Sequence, residues 1–285
     1  MTLYDFTARL SSVLNVPTSI VHPLHGGMIG QVFRVELADG RTVVAKTADA
    51  GGTLDIEGYM LRYLREHSAL PVPDVLHSEP SLLIMTFVEG SSHFSEAAER
   101  HAADLLAALH AVTAPAFGLE RDTLIGPLYQ PNPWTPSWIA FFRDQRLRYM
   151  ARLAADSGRL PRPMLGRIER LAERLDGLLE EPEQPSLIHG DIWSTNVLAD
   201  TNRVSAFLDP AIYYAHHEME LAYITLFNTF GAAFFERYQA LRPIEPGFFE
   251  VRRDIYNLYP LLVHVRLFGG GYVGSVDRIL RRFGI

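Results

Sequence analysis

Three side chains within residues 187–214, LIHGDIWSTNVLADTNRVSAFLDPAIYY, stand at a spacing that phosphoryl transfer needs. Asp191 follows His189 in H-G-D, Asn196 comes five positions later, and Asp209 ends an apolar run thirteen positions beyond that. In such chemistry a loop Asp accepts the proton of the attacking hydroxyl. An Asn five residues on and a later strand-terminal Asp hold the magnesium ions that bridge the nucleotide phosphates. Asp191 is therefore the candidate proton acceptor, and Asn196 and Asp209 are the candidate Mg2+ ligands. A lone Asp after glycine would be read as a turn residue, but the combined pattern outweighs that. His189 is expected to pin the loop by hydrogen bonding, since Asp191 already fills the role of base.

This chemistry also needs a cation on the nucleotide phosphates. The chain has a single lysine, Lys46, the other 25 of its 26 Lys and Arg residues being arginine. A position that keeps Lys in such a background calls for a compact ammonium rather than a planar guanidinium. Glu57 is its expected partner, from a helix whose Leu61 and Leu64 lie four and seven residues further along the same side. A strand Lys paired with a helix Glu positions the α- and β-phosphates of ATP; the plainer alternative, an exposed ion pair, is worth at most about 1 kcal/mol. Upstream, HGGMIGQV (25–32) matches the phosphate loop G-x-G-x-x-G-x-V at Gly27, Gly30 and Val32, with His25 at the first glycine. Glycines there let backbone N–H groups approach phosphate closely.

The tryptophans fall in two places, Trp134 and Trp138 in a proline-rich segment and Trp193 two residues after the candidate base. Aromatic faces beside an acceptor site suit a ring-sized polar substrate, although packing alone explains Trp138 as well. Asp209 is followed by Pro210-Ala211 where protein kinases have Phe-Gly, and only ten residues separate it from Glu220, which starts the apolar run ELAYITLF. Proline fixes φ and removes a flexible glycine, so this Asp is expected to stay in place, with no room for a long activation segment. The expectation is a constitutively active small-molecule kinase, against which an Asp209 turned away from the cleft would count.

Composition narrows the remaining classes. At 285 residues the chain can bury roughly three quarters of its unfolded surface. A net charge of −7 argues against non-specific nucleic-acid binding, which needs a basic face. No cysteine is present, which rules out disulfides, thiolate nucleophiles and zinc–thiolate sites. The start, MTLYDFTARLSSVL, lacks a basic segment followed by an apolar run, and LYPLLVHVRLFGGGYVG is broken by His264, Arg266 and glycines. A cytoplasmic enzyme that neither crosses nor binds membrane is expected.

Periodicity supplies the elements that must position these residues. Residues 3–14 have helical spacing. Strand-like runs follow to Ala48, with 32–37 and 42–47 joined by a hairpin turn at Ala38-Asp39-Gly40. A helix is expected over 53–67 and a buried strand over 81–90, with a linker near 88–92. Helices are then expected over 95–112, 137–155 and 161–180, short strands near 197–199 and 204–208, and helical patterns from 216 to the end, interrupted near Pro243, Pro246 and Gly269 to Gly271. This gives an α+β chain of two lobes: residues 1–90 as a small antiparallel sheet plus helix for nucleotide, and residues 91–285 as a mostly helical catalytic and acceptor-binding lobe.

HGDIWSTN and DPAIYYAHHEMELA, with GPLYQPNPWTPSWIAFF and the closing HVRLFGGGY, make the chain resemble the fructosamine kinase (ketosamine-3-kinase) family, within the aminoglycoside phosphotransferase-like, protein-kinase-like fold. The resemblance covers nearly the whole chain. It implies Mg2+- and ATP-dependent phosphorylation of the C3 hydroxyl of a ketoamine, fructosamine or ribulosamine in type, giving an unstable 3-phosphate and so serving deglycation. Carried onto this sequence, Lys46 and Glu57 hold phosphates and the backbone of Thr86, Phe87 and Val88 meets adenine. Gln130, Asn132, Trp134, Trp193 and His264 are implied for the ketoamine pocket. Many relatives carry a nucleotide-loop cysteine that forms a redox-sensitive dimer contact, which this chain lacks. The other readings are a phosphotransferase of the same fold acting on an aminoglycoside, choline or homoserine, and a catalytically dead nucleotide-binding module.

Overall fold

The computed structural model describes residues 3–24, 30–49 and 51–285. Helix α1 (Leu3–Leu14) leads into strands β1 (Thr18–Leu24), β2 (Gln31–Leu37) and β3 (Thr42–Thr47), helix α2 (Leu54–His67), and strands β4 (Val75–Glu79) and β5 (Leu82–Thr86). The five strands form one antiparallel sheet in the order β1-β2-β3-β5-β4. Alternation along the strands assigns the faces. Val35, Val43, Ala45, Leu82 and Ile84 meet Phe6 and Leu10 of α1 in a small core. Val44, Leu83 and Met85, one residue out of phase, join the larger core with Leu54, Leu61 and Leu64 of α2. Lys46 shares the parity of Val44, so the period of two carries its side chain to the α2 face.

Past Gly90 the chain is mainly helical. Helix α3 (Glu96–His110) starts at Ser95, whose hydroxyl accepts from the Ala98 amide at 3.2 Å. A hairpin of β6 (Thr123–Ile125) and β7 (Leu128–Gln130) follows, then α4 (Trp138–Phe141), a π-helical stretch (Phe142–Arg148), α5 (Tyr149–Asp156) and α6 (Arg162–Ala172). Strands β8 (Ser186–Ile188), β9 (Val197–Ala199), β10 (Val204–Phe207) and β11 (Tyr213–Ala215) pair as β8 with β11 and β9 with β10. Helices α7 (Glu218–Leu226), α8 (Ala232–Leu241), α9 (Arg253–Phe268) and α10 (Gly271–Arg282) complete the lobe. Among the described residues no helix is long and apolar enough to cross a membrane.

The helix expected over 161–180 ends at Ala172, and a single 3-10 turn at Leu175–Gly177 replaces its second half. Gly177 lies in that stretch, where a glycine inside a helix costs about 1 kcal/mol relative to alanine, while Leu175 and Leu179 stay buried. Residues 123–130, between the helices expected over 95–112 and 137–155, form the β6–β7 hairpin with Gln130 opposite Thr123. Helix α7 is buried almost all round, including Glu218 and Glu220, so its acids need internal partners. Arg252 meets Glu218 with two parallel hydrogen bonds of 2.7 Å, the bidentate geometry that suits guanidinium and carboxylate. Arg252→Ala leaves the fully buried Glu218 unpaired and is expected to cost about 3–5 kcal/mol. The midpoint and slope of urea unfolding measure this; a loss below about 1 kcal/mol would show that the pair is structurally idle.

Candidate active site

Lys46 lies where the two lobes face each other. Its Nζ donates to Glu57 Oε1 of α2 at 2.7 Å and also to Asp209 Oδ1, at the end of the segment leaving β10. Burial disfavours the Lys46 ammonium, but Asp209 and Glu57 outweigh it and raise its pKa above the usual lysine value. For Asp209 burial likewise works against the charge, and the Lys46 ammonium pulls its carboxyl below the usual range. Cation and anion are thus both held in their charged forms. Asp209 has φ 51°, a left-handed conformation that Asp tolerates better than most residues, and its carboxylate points into the cleft.

The loop carrying Asp191 is shaped from below by α7. Gly190 has φ 85°, and a Cβ there would come within 2.2 Å of the Ala211 carbonyl, so the H-G-D glycine is required by both backbone angle and crowding. Ala211 N donates to His189 O at 2.7 Å, tying the loop to the segment after Asp209. Buried Glu220 accepts from the Gly190 amide at 2.6 Å and from the His189 amide at 3.3 Å. His110 Nε2 lies 2.9 Å from the same carboxylate, and its Nδ1 lies 2.7 Å from Tyr238 Oη. The His189 ring is fully buried, its Nδ1 accepts from the Asp191 amide at 3.3 Å, and burial lowers its pKa. It pins the loop as a neutral group.

Asp191 Oδ2 accepts from Asn196 Nδ2 at 2.9 Å, and Oδ1 accepts from the Tyr223 hydroxyl. Burial pushes its carboxyl up to about 7, with the Tyr223 and Asn196 hydrogen bonds opposing and the Asp209 charge assisting. Asn196 Nδ2 also donates to the Asp191 carbonyl at 3.0 Å, while its amide oxygen accepts a long 3.5 Å hydrogen bond from the Thr195 hydroxyl and keeps a lone pair that could serve a cation. Among the described residues no group of three or more His, Asp or Glu is poised to hold a metal by itself. Asp209 and Asn196 supply two hard oxygen donors on one cavity, a set that fits Mg2+, which keeps waters and takes phosphate oxygens as its other ligands.

That cavity, about 560 Å³, is lined by Lys46, Glu57, Asp191, Asn196 and Asp209 together. Its sheet side carries Leu24, Val32, Val44, Met85 and the segment Thr86 to Val88. The amides of Thr86 and Phe87 already donate to the Asp74 and Thr42 carbonyls at 2.9 and 3.3 Å, so Val88 is the next amide that an adenine edge could meet. Gly30 has φ 70°, and a Cβ on it would lie 1.7 Å from the Thr47 carbonyl, so no other residue fits this crossing. Gly27 lies outside the described residues. The helical side of the cavity carries Trp193, Tyr223, Val263, His264, Leu267 and Phe268. His264 sits among Phe227, Tyr272 and Phe268, with ring centroids at 5.0, 4.8 and 5.7 Å.

Three residues implied for the acceptor pocket, Gln130, Asn132 and Trp134, are not among those that line this cavity. Gln130 is buried, its Nε2 within 3.2 Å of Thr123 Oγ1 and the carbonyls of Leu124 and Ala211, and its Oε1 accepting from Tyr259 at 2.6 Å. Asn132 donates to Thr123 Oγ1 at 2.9 Å and accepts from Arg146 at 2.5 Å; that guanidinium sits 3.9 Å from the Tyr213 ring centroid. The Gln130 amide ties the hairpin to the segment after Asp209, and the Asn132 amide ties Arg121 and Thr123 to Arg146. Trp134 is half exposed and packs near Tyr214, 6.2 Å between rings. Sequence reasoning missed Glu220 and Tyr223. The available signal was a polar residue in a helix apolar on every side, where burial demands a partner.

Two outcomes follow from this geometry. Lys46→Arg puts a wider guanidinium between Glu57 and Asp209 and is expected to lower kcat/KM for nucleotide by about 100-fold or more, measured by steady-state kinetics; activity within twofold of the parent would refute the need for an ammonium. Glu220→Gln presents an amide nitrogen either to the loop N–H groups or to His110. It is expected to cost about 1–3 kcal/mol and to lower kcat with little change in nucleotide affinity, read by unfolding and by nucleotide titration.

Comparison with known proteins agrees with this geometry. The fructosamine kinase family model matches residues 6–283. A "Probable ketoamine kinase" of Enterococcus faecium is 33% identical over 268 residues, covering 92% of this chain and 95% of that one. A namesake from Synechocystis is 41% identical over 180 residues, a stretch that spans 62% of this chain and 59% of that protein's length. The crystal structure of a candidate fructosamine-3-kinase from Thermobifida fusca superposes with a TM-score of 0.86 at 31% identity, covering 98% of this chain and all of the other. The protein-kinase-like, two-lobed α+β architecture is shared, and the chain belongs to the fructosamine kinase family.

Proposed function

We propose that this protein transfers the γ-phosphoryl group of Mg-ATP to the C3 hydroxyl of a ketoamine, fructosamine or ribulosamine in type. The observation that carries the reading is that Lys46, Asp191, Asn196 and Asp209 all face one cavity whose helical side is aromatic. In this reading Lys46, steadied by Glu57, holds the α- and β-phosphates, and Gly30 and Val32 belong to the loop above them, with Gly27. The backbone at Thr86, Phe87 and Val88 meets adenine. Asn196 and Asp209 hold Mg2+, which when bound shields the charge of the phosphates. Asp191 accepts the proton of the C3 hydroxyl as that oxygen attacks. A carboxyl with a pKa of about 7 is a better base than an ordinary carboxylate and is still ionised in part at neutral pH.

Trp193 and His264, which line the cavity, are the substrate residues in this reading. The sugar-derived chain lies against the Trp193 face, and the neutral His264 imidazole, its pKa lowered by burial, is a hydrogen-bonding partner for a hydroxyl. C3 is α to the C2 carbonyl. Loss of a C1 proton gives a 1,2-enaminol whose electrons expel phosphate as the C3–O bond breaks, so the product is prone to elimination and the overall outcome is deglycation in the cytoplasm. Residues 1–90 form the nucleotide-binding lobe in this reading, and residues 91–285 the catalytic and acceptor-binding lobe. An aminoglycoside acceptor is disfavoured by charge. Among the described residues the carboxylates lining the cavity are Glu57, Asp191 and Asp209, and two of these are committed to Lys46. A polycation would find little surplus negative charge there.

The test is an acceptor panel of fructosyl- and ribulosyl-amines, aminoglycosides, choline and homoserine, with ADP release and 31P NMR as readouts. Phosphate-ester formation on the ketoamines alone is expected, and none on them would sink the reading. Asp191→Asn is expected to lower turnover by about 100-fold or more while leaving ATP affinity within a few-fold; unchanged turnover would return the chain to a nucleotide-binding module.

A further inference from the structure

We propose that Tyr223 is a positioning residue of the transfer reaction, its phenol fixing the plane of the Asp191 carboxylate so that the lone pairs left over face the acceptor hydroxyl. The proposal rests on the assignment of Asp191 as proton acceptor. A carboxylate turns easily about its Cβ–Cγ bond, a broad two-fold torsion, and one hydrogen bond does not stop it. Asn196 binds Oδ2 at 2.9 Å, but Asn196 belongs to the same loop and also bonds the Asp191 carbonyl, so the two residues move as a unit. Tyr223 binds the other oxygen, Oδ1, from α7, a separate and buried element.

Three grips on the loop come from this helix and its exit. Glu220 accepts the Gly190 and His189 amides. Tyr223, three residues later on the same helix face, takes the Asp191 side chain. Thr229 Oγ1 donates to the Ile192 carbonyl at 3.2 Å. Backbone and side chain of the loop are therefore referred to one rigid body. Each carboxylate oxygen accepts more than one hydrogen bond, so the phenol on Oδ1 and the amide on Oδ2 still leave acceptor capacity for the incoming hydroxyl. The Tyr223 ring is buried and meets Phe227 edge-on at 5.4 Å, and Phe227 in turn meets Trp193 at 5.8 Å. Replacing only the hydroxyl therefore leaves the aromatic wall in place.

Tyr223→Phe is expected to lower kcat about tenfold, with KM for ATP and for the ketoamine within twofold and the melting temperature nearly unchanged. The decisive measurement is a double-mutant cycle on single-turnover rates. In the Asp191→Asn background, Tyr223→Phe should cause no further loss, because the phenol acts through that carboxylate. A wild-type kcat for Tyr223→Phe overturns the proposal. So does the same fractional loss in both backgrounds, which would place the phenol's effect elsewhere. A raised KM for the ketoamine at unchanged kcat also overturns it, since that would make Tyr223 a substrate contact. Full turnover in Asp191→Asn alone overturns the base assignment together with this proposal, whereas full turnover in Tyr223→Phe overturns this proposal only.

Discussion

One ammonium between two carboxylates holds the site together. Lys46 arrives on a central strand of the sheet, Glu57 on the helix beside it, and Asp209 from the helical lobe. A buried ion held by a single partner would be expensive, because the loss of hydration is not recovered. Two carboxylates, one from each lobe, make the ammonium tolerable and set the distance between sheet and catalytic loop. The lysine and the aspartate thus face the cleft already charged. The solitary lysine in an arginine-rich chain suits this place, where one compact ammonium donates to two converging carboxylates.

The catalytic loop is rigid for a different reason. The short path from Asp209 to α7 brings Glu220, Tyr223 and Thr229 against residues 189–192. Pro210 and Ala211 follow Asp209 directly, and Ala211 is hydrogen-bonded to His189, so the Asp209 backbone is clamped between proline and loop. The left-handed φ of Asp209 is the conformation that turns its carboxylate back to Lys46. Backbone of this kind is kept only where the surroundings over-determine it. With nothing long inserted between Asp209 and α7, the parts that a regulated kinase has to bring together are already in contact.

The aromatic side of the cleft separates wall from scaffold. Trp193, Tyr223, His264 and Phe268 line it, whereas Gln130, Asn132 and Arg146 form a buried polar lattice behind it. While the buried Arg146 Nε has no hydrogen-bond partner among the described residues, that lattice pairs both of its amides internally. Its effect on the site is indirect: through Ala211 it fixes the segment that crosses Gly190.

Residue type and spacing alone marked out the side chains that the fold brings to one cavity. H-G-D with Asn196 and Asp209, the lone Lys46, and Glu57 on its helix were all legible, because phosphoryl transfer constrains these residues by local geometry. The two-lobed α+β layout was legible too, since hydrophobic period changes from two to 3.6 along the chain. Tertiary structure decided the rest. Gln130, Asn132 and Trp134 are implied for the acceptor pocket by resemblance, and only the folded chain shows the Gln130 amide bonded to Ala211, about eighty residues on, and the Asn132 amide bonded to Arg146. Glu220 and Tyr223 look like incidental polar residues in an apolar helix. Their contacts with Gly190 and Asp191 span about thirty residues of sequence, a range over which side-chain periodicity carries no information. Local pattern encodes the groups that react; which groups hold them still is settled by packing.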